Sequence, residues 1–301
     1  MHLKLISALV ATSLGAAPAL AQELTGTLKK IKETGAVSLG HRESSVPFSY
    51  YDDRQQVVGY AMDLCARIVD RVKSELKLDK LDTKLNPVTS ATRIPLIANG
   101  TVDLECGSTT NNLERQKQVA FTITHFVTAN RFVSKKSANL QTVDDLKGKT
   151  VVSTSGTTNI KQITEIGAQK NLGLNILPAK DHAEAFLMVE TDRAKAFVMD
   201  DILLYSLVAT AKNPADYVIS TDALSVEPYG IMLQRGDDAF KKVVDAEMTR
   251  IYKSGEINAI YDKWFMKPIP PKGVNLNLPM SDQFKKVVAN PTSSGDPKDY
   301  Q

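Results

Sequence analysis

An α/β fold is the architecture this sequence predicts, and three patterns carry the prediction. Short apolar runs alternate with longer amphipathic ones along nearly the whole chain. Several of the apolar runs end in polar loops, three of which set an arginine among hydroxyl residues. Two extended runs, TITHFVTANRFVSKK from Thr122 and SVEPYGIMLQRGDD from Ser225, interrupt the alternation.

The elements follow in order. AVSLG leads into AMDLCARIVDRVKSEL, on which Leu64, Ile68 and Val72 share one helical face. DTKLNPV leads into RIPLIANG, and TVDLE into NLERQKQVA. KTVVST precedes NIKQITEIGAQK, LNILPA precedes AEAFLMVETDRA, and KAFVM precedes DILLYSLVATAK. Strands alternating with helices predict a mostly parallel sheet. If both extended runs are crossings, residues 22–128 and 227–301 form one lobe and 129–226 the other. The last helices, AFKKVVDAEMTRIYKSG and EINAIYDKWF, then return to the first lobe, with Trp264 and Phe265 as packing anchors rather than functional groups. The polar tail PTSSGDPKDYQ reads as poorly ordered.

Residues 1–21 read as a cleaved secretory signal peptide: Lys4 is the basic start, LISALVATSLGAAPAL the apolar stretch, and Ala19-Leu20-Ala21 the cleavage signal before Gln22. No cysteine follows that site, which disfavours a lipid anchor. An exported protein is the expectation. The chain carries 37 Lys and Arg against 34 Asp and Glu, a formal net charge of +3, so charge points to neither nucleic acid nor a membrane surface. Cys65 and Cys106 are the only cysteines; two buried thiols are expected, with a disulfide as the alternative.

The loops carry the chemistry. CGSTTNNLERQ offers Ser108, Thr110 and Arg115; HRESSVPFSYYD offers Arg42 beside Phe48, Tyr50 and Tyr51; VTSATRIPL offers Ser90 and Arg93. Each follows a strand-like run, where open α/β sheets bind ligands. Hydroxyls, backbone N–H groups and a guanidinium fork suit a small carboxylate. The middle segment adds Thr157 and Thr158 at a helix N-terminus, His182 after a strand, and Asp200-Asp201 at the end of KAFVM. Taken singly, these residues are better explained as helix caps and solvated side chains. Together they set three guanidiniums and an imidazole against one inward carboxylate, Asp200 or Asp201. Buried charges need partners. That count asks for a ligand with two anionic groups and one ammonium, as in a dicarboxylic amino acid.

No GxSxG, P-loop or GxGxxG is present, and the histidines lack metal-ligand spacing, so no cofactor or metal is expected. Nothing pairs a nucleophile with a base, so nothing positive argues for an enzyme.

GHRESSVPFSYYD, TSATRIPL, ECGSTTNNLERQKQ, TSGTT, AKDH, FVMDD and the C-terminal DKWF…PIPPK resemble, in content and order, the periplasmic glutamate/aspartate-binding proteins of ABC uptake systems. The resemblance implies a type II periplasmic-binding-protein fold: two α/β lobes joined by two crossing strands, with a ligand cleft between them. It implies that Arg115 holds an α-carboxylate with Thr110 and Thr158, and that Asp200 takes the α-ammonium with Ser108. Arg42, Ser90, Arg93 and His182 would surround the side-chain carboxylate. The implied partners are L-glutamate or L-aspartate and an inner-membrane ABC permease, for a periplasmic monomer that binds no nucleic acid. The family often carries its cysteines elsewhere and lends the Cys65–Cys106 pair no support. The alternatives are a binder of another polar amino acid, a sensor domain, which would need a membrane span, and a cyclohexadienyl-dehydratase-like enzyme on the same fold.

Overall fold

The computed structural model describes residues 24–301, so the expected signal peptide at 1–21 lies outside the described residues. Two sheets organise the chain. The first runs Asp82–Pro87, Ala36–His41, Leu104–Cys106, Met232–Gln234, Val119–Phe121 across its width. The second runs Asn175–Ala179, Thr150–Thr154, Ala196–Asp200, Phe126–Lys135, Tyr217–Ile219, with Ser225–Tyr229 also paired to Phe126–Lys135. In each sheet the first three strands are parallel. The remaining strands are antiparallel.

The expected mostly parallel sheet is therefore a parallel core with antiparallel additions, and the connection between the sheets explains why. The chain leaves the first sheet at Val119–Phe121 and enters the second as Phe126–Lys135. It returns through Ser225–Tyr229 to Met232–Gln234. An outgoing and a returning strand must run in opposite directions, so Phe126–Lys135 and Ser225–Tyr229 pair antiparallel, Phe126 against Tyr229 and Asn130 against Ser225.

Helices cover the sheets where amphipathic runs predict them. Tyr60–Glu75 buries Leu64, Ile68 and Val72 as expected. Thr157, Asp181 and Asp237 cap the helices Thr158–Gln169, His182–Glu190 and Asp238–Lys253, each side chain accepting from a backbone N–H three residues on. The Asp238–Lys253 helix packs back on Tyr60–Glu75, returning the chain to the first sheet.

Beneath the crossing lies an aromatic cluster. Phe126 and Tyr229, one from each crossing strand, lie 5.1 and 5.2 Å from Phe48, and Phe126 stacks on Phe265 at 5.1 Å. Trp264 donates its indole N–H to Asp63 at 2.7 Å and meets Tyr50 edge-on. Both residues are anchors, as the sequence indicates.

Three expectations need correction. NLERQKQVA is not a helix: only Arg115–Lys117 forms a 3₁₀ turn, because strand Val119–Phe121 begins at once. Cys65 and Cys106 are not free thiols but a disulfide; the Tyr60–Glu75 helix lies on the end of strand Leu104–Cys106 and brings their Cα atoms to 6.2 Å. The tail from Pro291 is packed, with Tyr300 buried and its hydroxyl 2.7 Å from that of Thr124.

Because Phe265 is fully buried against the rings of Phe48, Tyr60, Phe126 and Tyr261, Phe265→Ala should remove about 3–5 kcal/mol of stability. Urea unfolding monitored by circular dichroism should show the midpoint fall with an unchanged slope.

Candidate functional site

Each candidate side chain sits where a strand or loop delivers it between the two sheets. Arg42 follows strand Ala36–His41, its backbone N–H held by the Ser49 hydroxyl at 2.8 Å. Its Nη2 donates to the Ser90 hydroxyl at 2.8 Å, while Nη1 has no partner in the protein. Arg93 opens the Arg93–Ala98 helix and donates to the Thr109 hydroxyl at 2.5 Å and the Ser108 carbonyl at 3.3 Å. Its Nε is unpartnered, as is the Ser108 hydroxyl. Arg115 donates to the Thr110 carbonyl at 2.8 Å within its own loop and to the Gly156 carbonyl at 3.2 Å across the cleft.

The second lobe supplies the opposite wall. His182, the first residue of its helix, has Nδ1 2.8 Å from the Thr154 hydroxyl, and its Nε2 is unpartnered. The Thr154 hydroxyl can donate to Nδ1 or accept from it, so this contact does not fix which ring nitrogen carries the proton. Asp200 ends strand Ala196–Asp200 and accepts from Asn159 at 2.7 Å and from the Tyr229 hydroxyl. Thr158 lies 3.5 Å from Thr110 and donates to Glu227 at 3.1 Å. Asp201 points elsewhere: it pairs with Arg131 at 3.2 Å and accepts from Thr128. Of the two aspartates, Asp200 is the inward one.

The walls meet closely. An added Cβ on Gly156 would come within 2.6 Å of the Ala91 Cα, and φ there is +77°, so the approach requires glycine. Lys161 and Glu114 pair across the rim at 2.5 Å. Arg42, Arg93, His182 and Asp200 are each no more than 3 % exposed.

Burial governs the electrostatics. Loss of solvation, reinforced by the Arg93 charge, pushes Arg42 down to about 9 and Arg115 down to about 10. His182 falls well below its ordinary value through burial and the charges of Arg42 and Arg93, so the imidazole is neutral. Asp200 is raised, first by burial and then by Glu227.

The count of one inward carboxylate is too low. Glu105 is fully buried beneath the arginines, accepting from Thr109 at 2.6 Å with its other oxygen 3.9 Å from Arg93. Glu227, on the returning crossing strand, accepts from Thr158, Gln162 and Ser225. Both lie inside extended runs and read as strand residues. No local pattern in the sequence sets them apart from outward-facing strand residues. Asn159, Tyr229 and Thr109 were also missed, each being a polar group that fixes a charged one.

Charge balance alone therefore does not select a ligand; the arrangement of free groups does. At the Arg42–Arg93–His182 end the unpartnered guanidinium nitrogens Arg42 Nη1 and Arg93 Nε are donors, set over the unpartnered Oε1 of Glu105. That end can hold an anion. At the Asp200 end an acidic group lies near the Ser108 loop and the Thr158 helix N-terminus. Among the described residues no cluster of three or more His, Cys, Asp or Glu is placed to hold a metal, and no helix is long and apolar enough to cross a membrane.

Two α/β lobes, two crossing strands and a polar cleft between them define a type II periplasmic-binding fold. The chain belongs to the bacterial extracellular solute-binding proteins, family 3, matching that family over residues 37–267. It is 55 % identical over 289 residues to the L-glutamate/L-aspartate-binding protein of Pseudomonas aeruginosa, covering 96 % of both chains. It is 46 % identical to the glutamate/aspartate import solute-binding protein of Escherichia coli, over 95 % of this chain and 93 % of that one. Among solved structures, an ancestral arginine-binding protein bound to arginine superposes with a TM-score of 0.70 at 26 % identity, covering 77 % of this chain and 98 % of that one.

Asp200 holds its proton more tightly in the folded than in the unfolded chain, whose value is near 3.8. Its contribution to ligand-free stability is complete below that pH and drains away as pH rises through the raised value. Asp200→Asn cannot titrate. Relative to wild type, the ligand-free variant should gain stability progressively as urea unfolding is repeated from pH 4 to pH 8. A difference that stays flat with pH would show that Asp200 is not perturbed.

Proposed function

We propose that this chain is a periplasmic receptor that captures L-glutamate or L-aspartate and delivers it to an ABC permease in the inner membrane. The observation that carries the reading is the pair of buried, unpartnered guanidinium donors at one end of the cleft, two cations over the single carboxylate of Glu105. Arg42 Nη1, Arg93 Nε and His182 Nε2 are buried and unpartnered; Arg93 lowers the proton affinity of Arg42, and both arginines lower that of His182. A side-chain carboxylate satisfies both guanidinium donors; an amide brings a further donor to face them. Arg115, with Thr110 and Thr158, takes the α-carboxylate. Asp200 and Ser108 take the ammonium, and Ser90 steadies Arg42. The names of the relatives support the same ligands and the same transport role, and favour capture over turnover. Both Asp200 oxygens are engaged by Asn159 and Tyr229, which suits a fixed counter-ion better than a proton shuttle.

In this reading residues 22–128 and 227–301 form one lobe and 129–226 the other, hinged where Phe126–Lys135 and Ser225–Tyr229 pair. Residues 1–21 direct export and are removed. Each lobe supplies part of the charge complement, so ligand should favour the drawn-together form. Small-angle scattering should show a smaller radius of gyration with saturating glutamate than without it. An unchanged radius, with binding confirmed, would count against hinge closure.

Calorimetric titration with glutamate, aspartate, glutamine and asparagine tests the ligand directly. The acids should bind and the amides should be rejected by about 10⁴-fold, as expected for a site built around a specific polar partner. Arg42→Met is the variant of choice, because Arg93 also neutralises buried Glu105 and its loss would unbalance the fold. Arg42→Met should cost glutamate about 2–5 kcal/mol while shrinking its advantage over glutamine. Retention of the full acid-over-amide preference would place the side-chain pocket elsewhere.

A further inference from the structure

The packed C-terminal tail lies beyond the stretch that matches the family, residues 37–267. It touches the one loop on which the proposed α-carboxylate grip depends. Asn111 donates its side-chain amide to the carbonyls of Ser293 and Ser294 at 2.9 and 3.1 Å. Gln116 donates to the Ser293 carbonyl at 3.1 Å and to the Asn111 side-chain oxygen at 2.8 Å. These two residues bracket Arg115. Gly295 lies so close that an added Cβ would come within 2.8 Å of the Asn112 carbonyl carbon and 2.9 Å of the Leu113 nitrogen. Its φ is not in the left-handed region, so the tight approach is its constraint.

The opposite side of the same loop is held by the returning crossing strand. Asn111 N–H donates to the Pro228 carbonyl at 2.7 Å, and Gly230 N–H to the Thr109 carbonyl at 3.0 Å. The tail joins that side too. Thr124 N–H donates to the Thr292 carbonyl at 2.8 Å, and the buried Tyr300 hydroxyl meets Thr124 at 2.7 Å and the Ser294 carbonyl at 2.8 Å. Thr124 stands two residues before the outgoing crossing strand. The tail thus spans from the Arg115 loop to the entry of the hinge.

The tail has a shape of its own. Ser294 N–H donates to the Thr292 hydroxyl and Asp296 N–H to the Ser294 hydroxyl, both at 3.1 Å, and Pro297–Tyr300 makes a 3₁₀ turn. Its grip on the loop uses backbone carbonyls, so it depends on where the tail runs more than on which side chains it carries.

We propose that residues 291–301 form a positioning strap that sets the Arg115 guanidinium against the hinge, and so tunes affinity without touching ligand. The proposal rests on the reading that Arg115 holds the α-carboxylate. A chain ending at Asn290, Gly295→Ala and Ser293→Ala test it. Gly295→Ala should displace the Asn112–Leu113 backbone, and Ser293→Ala, which keeps its carbonyl, should behave as wild type. The truncated chain and Gly295→Ala should bind both glutamate and glutamine about 10–100-fold more weakly, the range found when groups that orient a ligating side chain are removed. The ratio between the two ligands should stay constant, because both share the α-carboxylate. A synthetic peptide of residues 291–301 should restore affinity to the truncated chain. In the absence of ligand, hydrogen exchange should accelerate at 109–118 in both variants and stay unchanged in strand Ala36–His41. Wild-type affinity in Gly295→Ala, a shifted acid-over-amide ratio, or unchanged exchange at 109–118 would overturn the strap. Wild type that ignores glutamate would instead overturn the reading beneath it, and the exchange experiment would still decide the strap.

Discussion

Three guanidiniums held out of water in one cleft are the constraint around which the rest of this structure is arranged. An ion moved into a protein interior loses several kcal/mol of solvation unless partners replace the water. Arg42 and Arg93 also repel each other, which is part of why Arg42 is pushed down to about 9. Glu105 answers both problems. It is fully buried, and its charge supports all three arginines. Its side chain fills the space a Cβ on Gly107 would need, 2.3 Å from that position, so a glycine at 107 is a condition of the carboxylate being there. Thr109 then donates its hydroxyl proton to Glu105 and accepts from Arg93 on its oxygen.

The charges are also sorted by lobe, and the sorting gives the cleft its direction. Arg42, Arg93 and Arg115 come from loops of the first sheet, whereas Asp200 ends a strand of the second and Glu227 lies on a crossing strand. Tyr229, on that same crossing strand, donates to Asp200, and Glu227 accepts from Thr158 at the start of the Thr158–Gln169 helix. Asp200 and Glu227 are therefore wired to the crossing strands, whereas the three arginines and Glu105 belong to the first sheet. In the proposed reading a zwitterion lying between them would complete contacts on both sides at once.

The parts of this arrangement that were legible in the sequence are those set by local pattern. Arg42, Arg93 and Arg115 stand out because each sits in a polar loop just after an apolar run, and strand ends are where open sheets expose such loops. Thr157 as a cap and Leu64, Ile68 and Val72 as a buried face follow from periodicity in the same way. Glu105 and Glu227 were hidden by the reverse situation: each lies within an extended run, where a single acid looks like an outward-facing strand residue. Only the neighbouring chain shows that these positions face inward. The Cys65–Cys106 bond and the packed tail fail to show for a related reason. Their partners are 41 residues apart in one case and, for Asn111 with Ser293, 182 in the other, and composition carries no information about such meetings. A polar tail with two prolines reads as loose because nothing in it announces that its carbonyls have donors waiting.

Closure and recognition draw on the same free energy. With the lobes together, Gly156 abuts Ala91 and Arg115 reaches the Gly156 carbonyl, leaving no room for a layer of water at that rim. The arginine, serine and histidine groups behind it then exchange solvent for whatever lies between the lobes. A ligand shifts the balance toward the closed form only by its preference for that form over the open one. In the proposed reading an acid supplies that preference by pairing the unpartnered guanidinium donors. An amide of the same shape would fill the space but leave guanidinium protons unpaired. On that reading selectivity belongs to the closed cleft rather than to first contact. It is also why the supports that fix each guanidinium, Glu105 beneath Arg93 and the loop around Arg115, matter as much as the groups that would touch ligand.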